Sequence, residues 1–585
     1  MPELTALAQI LGLYAALFLS FLGWGRATRV ALSGRDRPPE SLGTDLWMGW
    51  AAALAVLEFV QICRPLAYRE SIAVLGIGIA LALRPATWDR LRPRGRPDRA
   101  GLAGLALWAG VALWVAARSL DSPHEFDAGM YHLQTIRWLN VLPIMPGLGN
   151  LHGRLAFNSA FYPYVAALNF YPYFGHGRSV ANGFLYVVLL GQILARLRAA
   201  LADPRRLADG RGLSRGVDLL LLPFVLYVGV SSLGFSSPSG DLACLLLQVS
   251  LFLLLAHGLA EGDGPAAGPE DRALPLIVLS TTLLTLKLSN AGFVAGVAVI
   301  TAAALLRAGR PARPPGPAQR PVRGAILLSG LILVIWVSRG YLLSGYPAYP
   351  STFGGLPYDW TVSAQQAHRD ADVVYAWARQ PWVAPERVLG RTDWVHDWLQ
   401  RLGRNVTGVV YPLAATLAAG LAILYVRRRD RGPWGGARAA LLLVPVVGGL
   451  GFCMVLAPDP RFANALPWLL PASVTLIFLG AVGQWRPRYL AAPLILTVAV
   501  LLNAEFAGWG VVHRKELGEI TLTGWQPMWP SYFVPRRTDS GVLVLTYTQL
   551  VDGLIWDGPI PATPEFNPAL CYRDPRNESA GFRVK

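Results

Sequence analysis

The sequence carries little charge for its length: 15% of its 585 residues are Asp, Glu, Lys or Arg, against roughly a quarter in soluble globular domains. That shortage argues against an ordinary water-soluble fold. Cysteine is scarce too, with four in the chain. Cys63, Cys244 and Cys453 fall in or beside apolar runs and Cys571 stands apart, so no disulfide framework is expected. The arginine-rich connections contain no Gly-rich phosphate cradle, which argues against nucleotide-driven chemistry there. What the chain has is apolar length, with 53% hydrophobic residues and 20 tryptophans.

Stretches able to cross roughly 30 Å of hydrocarbon occur near 5–24, 44–63, 70–84, 100–117, 179–197, 217–234, 240–259, 272–288, 291–307, 323–340, 408–426, 439–456, 464–482 and 489–506. The expected fold is an all-α polytopic membrane protein of about 14 transmembrane helices. A net charge of +16 would suit nucleic acid. The arginines, however, sit in short connections between apolar runs, the pattern of cytoplasmic loops, so no nucleic-acid partner is expected. Placing Arg26–Arg37, Arg84–Arg99, Arg198–Arg215, Arg307–Arg323, Arg427–Arg431 and Arg486–Arg488 in the cytoplasm puts both termini outside. It also makes 133–174 external helices lying on or dipping into the interface, although Phe157–Phe174 is nearly long enough to cross. The first span lacks a basic amino end and a clear cleavage site, so it reads as a membrane helix rather than a signal peptide.

This topology divides the chain into a transmembrane module over 1–506, a first large external loop over 118–178, a lid-like external loop over 341–407 and a cap domain over 507–585. The lid carries two amphipathic patterns, 363–380 and 386–402. The cap has alternating apolar runs such as Gly541–Tyr547, as expected of a small α/β domain.

Polar candidates collect on the external side. The segment Ser119-Leu-Asp-Ser-Pro-His-Glu-Phe-Asp-Ala-Gly-Met-Tyr-His132 sets three carboxylates and two histidines just beyond an apolar helix, where ionisable groups are costly to bury. Asp127 is the first choice for a general base, with Asp121 and Glu125 as substitutes. A helix-capping aspartate would account for the same residue. Tyr131 and His132 stand about one helical turn further on. His124, His132 and Asp127 could hold a divalent metal, but their spacing matches no specific ligand signature. His132 and His152 serve equally well as hydrogen-bonding groups for sugar or phosphate.

Arg137, Arg154 and Arg461 are candidates for substrate phosphates, with interface snorkelling the alternative for Arg461. Lys287, near the end of an apolar run, needs a phosphate, a carboxylate or an escape to the interface. Asp241 opens the preceding span, 240–259, on that side and could pair with Lys287. Asp359 and Trp360, after Gly345-Tyr-Pro-Ala-Tyr-Pro350, could belong to a sugar-stacking wall, and proline-fixed turns explain the same composition.

The run Tyr131-His-Leu-Gln-Thr-Ile-Arg-Trp138, the stretch Pro146–Asn158, Ser236-Ser-Pro-Ser-Gly-Asp241, Lys287-Leu-Ser289, Gly345–Pro350, Asp359-Trp360 and Arg461-Phe462 are similar to uncharacterised bacterial multi-spanning proteins of surface-polysaccharide loci. Together with an acidic residue in the first external loop, the layout resembles the GT-C superfamily of polyprenyl-phosphate-dependent glycosyltransferases. The resemblance implies transfer of a sugar from a polyprenyl-phosphate-linked donor to a glycan or lipid acceptor, on the periplasmic face of a bacterial inner membrane, in cell-envelope polysaccharide biosynthesis. It assigns the acidic role to Asp127. The classical paired-acid arrangement is not matched cleanly, so metal use stays open. A polysaccharide polymerase or ligase using lipid-linked oligosaccharide, and a lipid-linked glycan transporter or flippase, are the alternatives.

Overall fold

The computed structural model describes residues 2–34, 42–84, 99–121, 123, 125–201, 212–261, 269–308, 320–429, 437–482, 533–547 and 554–585. Thirteen of the fourteen apolar stretches coincide with helices, from Pro2–Ser33 and Leu42–Cys63 to Leu443–Leu456 and Leu466–Val482. The stretch 489–506 lies outside the described residues. Nine helices among the described residues are long and apolar enough to cross a membrane. Others fall short of that standard: Tyr68–Ala82 has 15 residues, and Gly216–Ser231 and Leu466–Gly480 are also shorter. The chain is therefore a largely α-helical, multi-pass membrane protein.

Apolar helices gain little from the hydrophobic effect when they meet one another in lipid, so close backbone approach has to hold them together. Glycine allows it here. A Cβ on Gly49 would lie 1.7 Å from the Phe21 carbonyl oxygen, and one on Gly25 would lie 1.8 Å from that of Asp45. Buried polar groups add direction: Trp47 Nε1 donates to Gln192 Oε1 at 3.1 Å, and the Arg339 guanidinium stands 3.6 Å from Glu58 while donating to Gln61 at 2.6 Å.

The first loop is woven into one end of this bundle. It contains a π-helical turn Ala128–His132, a helix Leu133–Val141 and the eight-residue helix Phe161–Leu168. Every residue of Phe161–Leu168 is buried. The segment thus packs inside the protein, and neither helix is long enough to cross. Asn140 Nδ2 donates to the carbonyls of Leu66 and Ala166 at 2.7 and 2.8 Å. Asn169 in turn donates to Asn140 Oδ1 at 2.7 Å.

The lid carries helices Ala364–Arg379 and Trp394–Arg404. Ser363 caps the first, accepting from the Gln366 amide at 3.2 Å. The second starts later than its sequence pattern, after a short turn Pro385–Arg387.

In the tail, β1 (Phe533–Arg537) pairs antiparallel with β2 (Leu543–Tyr547), which pairs parallel with β3 (Ala562–Thr563). Strands β4 (Leu570–Asp574) and β5 (Asn577–Val584) form an antiparallel hairpin. The tail's described residues hold strands and no helix, so the α component expected there is not found among them.

Candidate active site

Four charged side chains from four separate segments converge at one end of the bundle. Arg461 Nη2 stands 3.0 Å from Asp127 Oδ2, and its Nε stands 2.8 Å from Asp241 Oδ2. The other oxygen of Asp241 takes the Lys287 ammonium. Asp127 lies at the start of the π-helical turn, and Asp241 is the first residue of the helix Asp241–Glu261, where the helix dipole favours a carboxylate. Lys287 follows the helix Pro269–Leu286 in extended backbone, with its ammonium 4.7 Å from the Phe462 ring centroid. Arg461 sits in the short helix Pro460–Ala463, where its own amide is received by Asp459 at 2.9 Å.

Two residues that sequence reasoning missed hold the Asp241 turn in shape. Arg178 donates to the Ser236 carbonyl at 2.9 Å. Asn182 Nδ2 reaches the carbonyls of Gly234, Ser237 and Ser239 at 3.0, 3.1 and 3.1 Å. The signal was a polar pair at the start of an otherwise apolar helix, which satisfies buried carbonyls that lipid could not.

The cluster borders a cavity of about 490 Å³, within the size range of small-molecule sites. Asp127, Tyr131, His132, Arg154, Asp241, Lys287 and Arg461 all line it. So do Tyr349 and Pro350 of the Gly345–Pro350 motif. Arg154 differs from the other cations. Its guanidinium lies 5.1 Å from the Phe157 ring centroid and forms no ion pair among the described residues. The walls are aromatic: Phe126, Tyr162, Trp336, Trp377 and Trp382 line the cavity and were not singled out from the sequence. Trp336 is fixed by exchange with Asn158, donating to its carbonyl at 3.1 Å and accepting from its Nδ2 at 2.6 Å.

Several expected residues lie elsewhere. Asp121 pairs with Arg118 at 3.7 Å and does not line the cavity. Glu125 is engaged by the Ser237 hydroxyl, close enough to feel Asp127 and Arg461 without lining it. Arg137 donates to the Asp557 carbonyl at 2.7 Å and fastens the tail. Asp359 pairs with Arg573 at 2.9 Å, and Trp360 stacks on Tyr358 at 4.3 Å with Arg573 over its ring. That pair docks the β4–β5 hairpin; an aromatic loop that receives a hairpin has the same composition as one that lines a cleft. His152 is buried outside the cavity.

The tail also braces the π-helical turn. The Ile555 and Trp556 amides both donate to the Gly129 carbonyl, at 3.0 and 2.7 Å. Gln134 donates to the Gly558 carbonyl at 2.8 Å.

Burial sets the protonation states. It pushes His132 down to about 4, against the opposing pull of Asp127 and Asp241, so the imidazole is neutral at neutral pH. His132 Nδ1 is buried without a hydrogen-bond partner among the described residues, and the ring packs against Tyr131 and Tyr162. Burial raises Glu125, opposed by the Ser237 hydroxyl. Burial also disfavours the charged form of Arg461, but the carboxylates of Asp241 and Asp127 outweigh it and hold the guanidinium protonated.

For a metal, Asp127 and His132 share the cavity, and His124 lies outside the described residues. No group of three or more His, Cys, Asp or Glu is placed to hold an ion among the described residues.

A family described as "Domain of unknown function (DUF8201)" matches residues 8–468, and the chain belongs to it. The matched region includes Asp127, Asp241, Lys287 and Arg461 and ends before the strands of the tail. No curated protein and no solved structure matches significantly.

Proposed function

We propose that this member of the DUF8201 family is a membrane glycosyltransferase of the GT-C type, moving a sugar from a polyprenyl-phosphate-linked donor to a glycan or lipid acceptor on the periplasmic face of a bacterial inner membrane. The observation that carries the reading is the Asp127–Arg461–Asp241–Lys287 chain of contacts beside a cavity that Arg154 also lines. A candidate base, two partly neutralised cations and a third cation, Arg154, with no ion pair among the described residues, meet where lipid and water chemistry could meet.

In this mechanism the donor phosphate goes first to Arg154, which has no carboxylate partner to give up among the described residues. Its negative charge then competes with Asp127 for Arg461, because a guanidinium binds phosphate in the same forked geometry as carboxylate. Losing that partner makes Asp127 a better base, since an adjacent cation favours the ionised carboxylate. Asp127 takes the proton of the acceptor hydroxyl as its oxygen attacks the anomeric carbon. The bond from that carbon to the phosphate oxygen breaks, and its electron pair leaves with the polyprenyl phosphate. Lys287 and Arg461 stabilise the departing charge. A single displacement inverts the anomeric centre.

The test is mass spectrometry of lipid that copurifies with the protein, followed by reconstitution with that lipid and candidate acceptors. A new glycosidic product supports the reading. Lipid movement across the bilayer without product would replace it with transport.

A further inference from the structure

The aromatic rim of the cavity plays no part in that mechanism. Phe126, Trp377 and Trp382 line the same cavity as Asp127, and Phe126 is its neighbour in the chain. Trp382 meets Phe126 with ring centroids 5.4 Å apart at 82°, and Trp377 at 4.6 Å and 73°. Both contacts are edge to face, so neither neighbour lies flat over the Trp382 ring. Trp382 leaves 74% of its surface exposed.

Its backbone adds an independent observation. Trp382 has φ of +67°, a region that bulky L residues rarely occupy. It follows Pro381 in the link between the helix Ala364–Arg379 and the turn Pro385–Arg387. A large apolar ring is thus held out at a cavity mouth by unfavourable backbone geometry, an arrangement that points towards function.

We infer that Phe126, Trp377 and Trp382 form a stacking subsite for a saccharide, and that the acceptor is therefore a glycan ring rather than the hydroxyl of a bare lipid. A pyranose has an apolar C–H face and a hydroxyl-bearing edge, which suits an uncharged aromatic platform next to a polar cluster. With its apolar face on the platform, such a ring stands beside the residue that adjoins Asp127. The rim itself carries no charge, which matches a neutral sugar and leaves the anionic donor to Arg154, Lys287 and Arg461. Tryptophans of a membrane-interface belt face lipid headgroups, whereas Trp377 and Trp382 share a cavity with two carboxylates and three cations. The inference rests on the transferase reading above.

The experiment uses the full chain in nanodiscs with two kinds of probe: a short-chain polyprenyl phosphate, and a panel of methyl hexosides, methyl N-acetylhexosaminides and maltotriose followed by saturation-transfer NMR. At least one saccharide should bind at millimolar concentration. Its affinity should fall about fivefold or more in Trp382→Ala and Trp377→Ala and recover in part in Trp382→Phe, while polyprenyl-phosphate affinity changes less than about twofold. Trp382 is exposed, so its variants should fold; the retained lipid affinity checks this. Polyprenyl-phosphate binding with no saccharide binding overturns the subsite and leaves the transferase reading standing. Loss of lipid affinity in Trp382→Ala, with saccharide binding unchanged, reassigns the rim to the donor chain and also overturns it. If neither probe binds the parent protein, both readings fall.

Discussion

Arg461 holds Asp127 at 3.0 Å. The residue best placed to act as a base is thus already occupied, by a cation that bridges to a second carboxylate, Asp241. The pairing sets two carboxylates, Asp127 and Asp241, against Arg461 and Lys287, while Arg154 brings a third cation to the same cavity.

Replacing Asp127 with Asn keeps the shape of the side chain and removes its ability to accept a proton. In the reconstituted reaction, turnover should fall about 100- to 10,000-fold. Donor-lipid affinity should hold or rise, because Arg461 loses one competitor for phosphate. Turnover within a few-fold of the parent protein would remove Asp127 from the base role.

Asp241→Asn has a different signature, because it strips the shared counter-ion from Lys287 and Arg461 at once. The cations are only partly buried, so the expected cost is modest, about 1–3 kcal/mol. It should be read as a lowered melting temperature in detergent. Adding Lys287→Met to Asp241→Asn should recover part of the loss, since it deletes one of the stranded charges. An unchanged melting temperature in the single variant would show that the contacts contribute nothing to stability.

Asp127, Asp241, Lys287 and Arg461 were legible in the sequence because an ionisable side chain at the end of an apolar helix is expensive without a partner, and the loop topology put all four on one side. The helices themselves were legible from apolar length, apart from where the shorter ones start and stop. The rest was hidden for identifiable reasons. Trp336 lies within a helix whose apolar pattern makes a cavity-lining tryptophan look like any other. Arg137, Asp359 and Trp360 have the composition of a binding wall but serve as docking points for the tail, and only the fold brings residues some 420 positions apart together. Arg154 could be named from the sequence, but not that it would line the cavity with its guanidinium over the Phe157 ring.

Gly129 should prove intolerant of a side chain. A Cβ there would lie 2.8 Å from Cε2 of the Trp556 ring, so Gly129→Ala must displace either that ring or the π-helical turn that carries Tyr131 and His132. Overpacking of this kind costs about 1–3 kcal/mol. Trypsin should cut the arginine-bearing tail faster, and amides of the turn should exchange faster in deuterium. Gly104→Ala is the control, since its Cβ would meet nothing within 4 Å and alanine favours the helix. Equal protease resistance in both variants would mean that the tail does not brace the turn.

Acid should destabilise the protein through its buried histidines. Burial lowers His132 to about 4 and His152 to about 3, and in the first loop His176 to about 4. All lie below the ordinary histidine value of about 6.5. A folded-state pKa below the unfolded one means that the unfolded chain binds the proton first, so stability is complete above about pH 6.5 and falls as the pH drops towards 4. At 1.36 kcal/mol per unit, His132 alone accounts for a loss of about 3 kcal/mol by the lower end. Melting temperatures measured from pH 7.5 to 4.5 should decline, and His132→Phe, which keeps a ring against Tyr131 and Tyr162, should flatten part of that decline. Carboxylates that lose their partners in acid act mainly at the bottom of this range, so a flattened slope between pH 6.5 and 5 isolates the imidazole. A parent protein equally stable across the whole interval would mean that folding leaves the histidine pKa values unshifted, and that burial does not hold His132 neutral.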